Sequence, residues 1–160
     1  MAIKVGDKLP SATLKVAGAD GIKDVSTDEL FKGRKVVLFA VPGAFTPTCS
    51  AKHLPGFVQN ADAIRAKGVD AIVCLAVNDA FVMGAWGKDQ KVGDKVVMAA
   101  DGNAEWTRAL GLELDGTRFG MGTRAQRFAM VVQDGVVRAL HVEAPGKFEV
   151  SSAEAVLKSL

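Results

Sequence analysis

The stretch Pro42-Gly43-Ala44-Phe45-Thr46-Pro47-Thr48-Cys49 gathers the residue types that can make a cysteine react. An apolar, β-branched run over residues 35–41 (KVVLFAV) reads as a buried parallel strand, and Pro42-Gly43 stops it. A helical pattern follows from Pro47 to about Lys67, ended by Gly68. Ligands in open α/β sheets bind beyond the carboxyl ends of strands, which is where this loop lies. Thr46 suits the N-cap and Pro47 the first helical position. Cys49 then falls in the first turn. Unpaired amides and the partial positive charge of the helix N-terminus there favour a thiolate, the nucleophilic form of cysteine. Plainer readings stand beside these. Cys49 also suits a small buried hydrophobe. The Thr46 hydroxyl can simply accept from the Cys49 amide as a cap.

His53 lies at i+4 from Cys49, on the same helical face. A cysteine–histidine pair suggests a cysteine hydrolase with histidine as base. Such enzymes take their histidine from a distant part of the chain, and no group is in view to orient this ring. His53 therefore reads better as a polar neighbour of the site. Pro55 removes a hydrogen bond and crowds the Ala51 carbonyl, so a kink is expected. The kink either loosens the turn that carries Cys49 or bends the helix around the core. The second cysteine, Cys74, sits mid-strand in AIVCLAV, where both faces are buried, and reads as an inert core thiol.

The elements that must position these residues follow in order. Residues 71–77 form a second buried strand, and Asn78-Asp79 opens a helix running to about Lys88. A strand at 96–100 and a short helix at 103–110, stopped by Gly111, come next. Strands at 127–133 and 136–142 are joined by Asp134-Gly135, a strong hairpin signal. Ser151 or Ser152 caps a last helix with Glu154 in its first turn. The run RFGMG at 118–122 lacks the third glycine of a dinucleotide loop and reads as a turn. Asp79, Phe81 and Trp86 follow the second strand. Asp79 and Phe81 suit either a pocket wall or ordinary capping and packing. Strands alternating with helices imply an α/β fold, a mixed central sheet flanked by helices on both faces.

A chain of 160 residues with 49% apolar and 24% charged side chains suits a single domain over residues 1–160. The net charge of +2 is spread along the chain, so neither nucleic acid nor membrane is expected as a partner. Two cysteines are too few for a disulfide scaffold, and no C-x-x-C or cysteine–histidine cluster suggests zinc. Free thiols fit a reducing compartment. The opening MAIKVGDKLP lacks a signal-peptide core, so a cytoplasmic protein is expected.

PGAFTPTCS matches the P-x-x-x-T-x-x-C signature of the peroxiredoxins at Pro42, Thr46 and Cys49. The longer run PGAFTPTCSAKHLPGF resembles the subgroup holding the plant type II enzymes and animal peroxiredoxin five. CLAVNDAFVMGAW, ADGNAEWTRALGLELD, GTRAQRFAMVVQDGVV and VSSAEAVLKSL agree as well, so the similarity spans essentially the whole chain. It implies a thioredoxin-like fold and a peroxidase that needs no cofactor. Cys49 would attack the peroxide and become a sulfenic acid. Thr46 would hydrogen-bond peroxide and sulfur, and Pro42 would shield the pocket. The active-site arginine maps to Arg127, with Arg124 as the competing candidate. A guanidinium there would hold the thiolate and donate to the peroxide oxygens as charge develops. Animal members carry a further resolving cysteine near the C-terminus, and APGKFEVSSAEAVLKSL has none. The chain thus resembles the plant type II members, which use an external thiol. The implied partners are hydrogen peroxide and alkyl hydroperoxides, glutathione with glutaredoxin or thioredoxin as reductant, and a second copy in a homodimer. Phe45 and Phe81 are possible dimer contacts.

Two other functions compete. Thiol–disulfide exchange on proteins would want a C-x-x-C, and Ser50 follows Cys49 instead. A peroxide-sensing relay or binding module would use the same sulfenic acid to signal to a partner.

Overall fold

The computed structural model describes residues 1–160 and carries one seven-stranded sheet, ordered β2 (Gly21–Ser26), β1 (Thr13–Gly18), β5 (Val97–Ala100), β4 (Ala71–Ala76), β3 (Lys35–Ala40), β8 (Phe128–Gln133) and β9 (Val136–Val142). Its centre is β3 (Lys35–Ala40) and β4 (Ala71–Ala76), paired in parallel, with β5 (Val97–Ala100) parallel to β4. These are two parallel crossover units of the kind that alternating strands and helices predict. β8 (Phe128–Gln133) returns antiparallel against β3, and β9 (Val136–Val142) pairs with β8. Asp134 and Gly135 make the hairpin turn with φ of 50° and 76°, the left-handed pair that a two-residue turn of this type requires.

The N-terminal hairpin of β1 (Thr13–Gly18) and β2 (Gly21–Ser26) adds to the far edge through β1 and β5. A five-residue helix α1 (Thr27–Phe31) follows, begun by a capping box between Ser26 and Glu29. Two short strands, β6 (Glu113–Asp115) and β7 (Thr123–Ala125), form a separate ribbon across the RFGMG turn.

Alternate residues of the central strands feed two cores, as the period of two requires. Val37, Phe39 and Val41 with Ile72 and Cys74 face one side. There they meet Cys49, Leu54, Phe57 and Ile64 of the first crossover, Met83 and Trp86 of α4 (Ala80–Asp89), and Val156 of α6 (Ala153–Ser159). Val36, Leu38, Val73 and Leu75 face the other, against Leu30, Phe31 and the Trp106 and Leu110 of α5 (Glu105–Leu110). Phe39 stacks on Phe57 with ring centroids 4.0 Å apart and planes 8° from parallel, a pair that contributes about 1 kcal/mol beyond its buried area. No helix is long and apolar enough to cross a membrane.

The predicted helix over 47–67 is built in pieces. It starts at Pro47, opens into a π turn over Cys49–His53, continues as α2 (Leu54–Gln59), bends at Asn60 and resumes as α3 (Ala61–Ala66). Pro55 explains the wide turn. It has no N–H for the Ala51 carbonyl, and the Leu54 N–H reaches back five residues to the Cys49 carbonyl.

Candidate functional site

The site lies where β3 and β4 end. The Val41 N–H still bonds the Leu75 carbonyl at 3.0 Å, and the chain then turns away from the sheet. Asn78, just past β4, accepts from the Ala44 N–H at 2.9 Å and ties the loop down. Phe45 adopts φ of 64°, a conformation that a bulky residue takes only where its surroundings impose it. The Thr46 carbonyl receives the first helical bond from Ser50 at 2.9 Å, so Pro47 occupies the first helical position as expected.

The Thr46 hydroxyl does not cap the Cys49 amide. It donates instead to the Gly43 carbonyl at 2.7 Å. Its hydrogen is committed there, so the oxygen is left with acceptor capacity. A Cβ on Gly43 would come within 2.8 Å of the Arg124 Nη1 and 3.1 Å of the Thr46 Cγ2, so a side chain there would displace the Arg124 tip from the loop.

Arg127 and Arg124 take different places. The antiparallel register sets Ala40 opposite Phe128, which lands Arg127 beside the end of β3. Its Nη2 donates to the Cys49 Sγ at 3.0 Å, and its Nη1 contacts the His53 Nδ1 at 2.8 Å. The guanidinium also lies 5.7 Å from the Phe148 ring centroid. Arg124, in β7, braces the loop: Nε donates to the Met121 carbonyl at 2.9 Å and Nη1 to the Pro42 carbonyl at 3.2 Å. Pro42 and Thr46 are half-buried on this loop, and Cys49 is fully buried beneath it.

His53 has the orienting partner that the sequence did not reveal. Its Nε2 meets the Ser151 carbonyl at 2.9 Å. A carbonyl only accepts, so Nε2 carries the proton and Nδ1 offers its lone pair to Arg127. Burial first, and the Arg127 charge second, lower the His53 pKa from 6.5 to about 3. The ring is therefore neutral near pH 7. The sulfur is bonded by the arginine, while Nδ1 is occupied, so the hydrolase arrangement of an imidazole taking a proton from sulfur does not exist here.

Cys74 pairs with Phe39 across β3 and β4 and is completely buried. Burial, then the neighbouring Cys49, push its thiol well above the ordinary range, against a smaller opposing pull from Arg127. It stays a protonated thiol, and neither cysteine is in a disulfide. Asp79 caps α4 by accepting from the Val82 N–H at 2.8 Å. Trp86 donates from Nε1 to the Ser50 Oγ at 3.0 Å and so packs α4 on the turn beside Cys49. Phe45, Phe81 and Phe119 expose 51%, 78% and 75% of their surface. The Arg124 brace and the Asn78 anchor had readable positions, one three residues before Arg127 and the other at a strand end. The Ser151 carbonyl had none, because a backbone oxygen 98 residues from His53 leaves no mark in a sequence.

A Redoxin family profile matches residues 4–157. The chain is 56% identical to peroxiredoxin-2E-2, chloroplastic, of Oryza sativa subsp. japonica, over 99% of this chain and 72% of that protein. It is 48% identical to peroxiredoxin-2B of Arabidopsis thaliana, over 99% and 98% of the two chains. The crystal structure of reduced Prx3 in complex with hydrogen peroxide from Vibrio vulnificus superposes with a TM-score of 0.93 at 54% identity, covering 98% of each chain. A buried cysteine bonded by a guanidinium, on a thioredoxin-like sheet, sits in a chain with this ancestry. The chain belongs to the Redoxin family as a peroxiredoxin of the subgroup that holds the plant type II enzymes, and it is a thiol-dependent peroxidase.

Proposed function

We propose that Cys49 attacks the peroxide, that Arg127, Thr46 and Pro42 shape the pocket, and that an external thiol restores the cysteine. One observation carries the reading: the Arg127 Nη2 stands 3.0 Å from the Cys49 Sγ. A bond of that kind holds the sulfur in place and sets a fixed cation where negative charge will move. The thiolate sulfur attacks one oxygen of the O–O bond. An S–O bond forms, the O–O bond breaks, and the second oxygen leaves as hydroxide or alkoxide, which takes a proton to give water or alcohol. Cys49 becomes a sulfenic acid. The Thr46 oxygen, with its own hydrogen held by Gly43, accepts from the peroxide O–H. Pro42, its carbonyl pinned by Arg124, keeps bulk water off the sulfur.

The buried Cys49 is reached by a small peroxide more easily than by a protein reductant. The π turn at Cys49–His53 is where the helix is most readily opened, which suits later attack by an outside thiol on the sulfenic sulfur. That attack forms a mixed disulfide and releases water, and a second thiol then frees Cys49. Glutathione with glutaredoxin, or thioredoxin, supplies both thiols. The exposed Phe45 on the site loop and the exposed Phe81 on α4 support a homodimer, which sedimentation velocity would reveal as a two-chain mass and a monomer mass would exclude.

The test is turnover. Many equivalents of hydrogen peroxide should be consumed when glutathione plus glutaredoxin, or thioredoxin plus its reductase, is supplied. Oxidation of one equivalent with no turnover under either system would contradict the external-thiol scheme and favour a peroxide-sensing relay.

A further inference from the structure

Glu143, just past β9, is a buried carboxylate in a chain whose charged groups are nearly all exposed. Each of its oxygens accepts from the Glu149 N–H at 2.9 Å. Its Oε2 also accepts from the Val150 N–H at 2.9 Å, the Ser151 N–H at 2.8 Å and the Ser151 hydroxyl at 2.6 Å. Burial pushes its carboxyl up, but these donors prevail and hold it below the ordinary carboxylate range. The Glu143 N–H, meanwhile, donates to the Arg127 carbonyl at 3.0 Å. One residue thus grips both the backbone of the arginine and the loop whose Ser151 carbonyl fixes the His53 ring.

We propose that Glu143 is a positioning residue for peroxide reduction, acting through Ser151, His53 and Arg127 on Cys49. The proposal rests on Cys49 and Arg127 carrying that reaction as argued above. The carboxylate gathers three consecutive backbone amides and so sets the direction of the Ser151 carbonyl. That carbonyl fixes which nitrogen of His53 holds the proton. The free nitrogen takes one arm of the guanidinium and leaves the other arm aimed at sulfur. A fork held at both tips is ordered before peroxide arrives. Glutamine replaces the carboxylate only in part: with its carbonyl oxygen in the Oε2 place its NH2 meets the Glu149 N–H, and the negative charge that the loop's donors gather around is gone.

The full-length chain with Glu143→Gln tests this under single turnover with hydrogen peroxide, followed by tryptophan fluorescence. The rate of Cys49 oxidation should fall by about tenfold or more. Nitrogen-15 spectra give an independent readout, since the chain has only two histidines. His53 should lose its fixed Nε2–H form in the variant and keep it in the wild type. A His53→Phe background separates positioning from general support. There Glu143→Gln should add nothing further, because the relay is already cut. The same fold-loss in both backgrounds, or an unchanged rate in a folded Glu143→Gln protein, would overturn the proposal. If that variant does not fold, Ser151→Ala removes only the hydroxyl donor and should slow oxidation about threefold, again only when His53 is present. An unchanged rate in Ser151→Ala would then overturn it. A wild type that fails to react with peroxide, or a Cys49→Ser protein that still reacts, would instead sink the underlying assignment.

Discussion

Replacing Arg127 by glutamine should lower the rate of peroxide reduction by about 10²- to 10³-fold, the usual cost of removing a preorganised donor to a developing negative charge. Two effects combine. The thiolate loses the guanidinium at 3.0 Å, and the departing oxygen loses the only cation bonded to the reacting sulfur. Arg127→Lys should recover little. A lysine ammonium is a point charge on a flexible stem, and it cannot present one donor to His53 and another to sulfur in a fixed plane. Arg124→Gln is the informative contrast. That side chain braces the Met121 and Pro42 carbonyls and makes no bond to sulfur, so its loss should cost much less. Stopped-flow fluorescence reads all three, because Trp86 is bonded to Ser50 next to Cys49. An Arg127→Gln rate within about threefold of wild type would remove the electrostatic role from the account.

The second large effect is on stability in acid. His53 binds its proton with a pKa of 6.5 in the unfolded chain and of about 3 in the fold. Between those values the unfolded state holds more protons, so stability rises with pH. The contribution is fully present above pH 6.5 and is lost as the pH falls toward 3, a total on the order of 4–5 kcal/mol. The Glu143 carboxyl is lowered as well, but its contribution is lost only as the pH drops through and below its ordinary 4.5. Urea unfolding between pH 6.5 and 5 therefore isolates His53, where wild type should lose about 2 kcal/mol that His53→Gln does not lose. Parallel curves for the two proteins would show that the ring is not held neutral by the fold.

The central strands were legible because buried parallel strands are continuous apolar runs. β3, β4 and β8 fall within a residue of their expected limits, and β9 has the expected ones. The N-terminal hairpin leaves a weaker mark in the sequence, although Gly18 and Gly21 flank a turn and Ser26-x-x-Glu29 announces α1. Its alternation is faint, since β2 is almost wholly exposed. In the site, helix position alone told only that Cys49 should be reactive. The resemblance pointed to Arg127, and the strand register shows why that residue and not Arg124 meets the sulfur. Thr46 was placed correctly at the helix start, but its hydroxyl found a nearer acceptor in the loop. The His53 role was hidden because its partner is a main-chain oxygen carried by a distant loop, and no side-chain pattern encodes that.

The central claim is that Cys49 alone carries the redox change, with Cys74 a buried thiol beside it. The most direct measurement treats wild type, Cys49→Ser and Cys74→Ala with one equivalent of hydrogen peroxide and a sulfenic-acid trap, and reads intact mass. Wild type and Cys74→Ala should each gain one adduct, and Cys49→Ser none. An adduct on Cys49→Ser, its loss in Cys74→Ala, or a Cys49–Cys74 disulfide in the wild type would contradict the account.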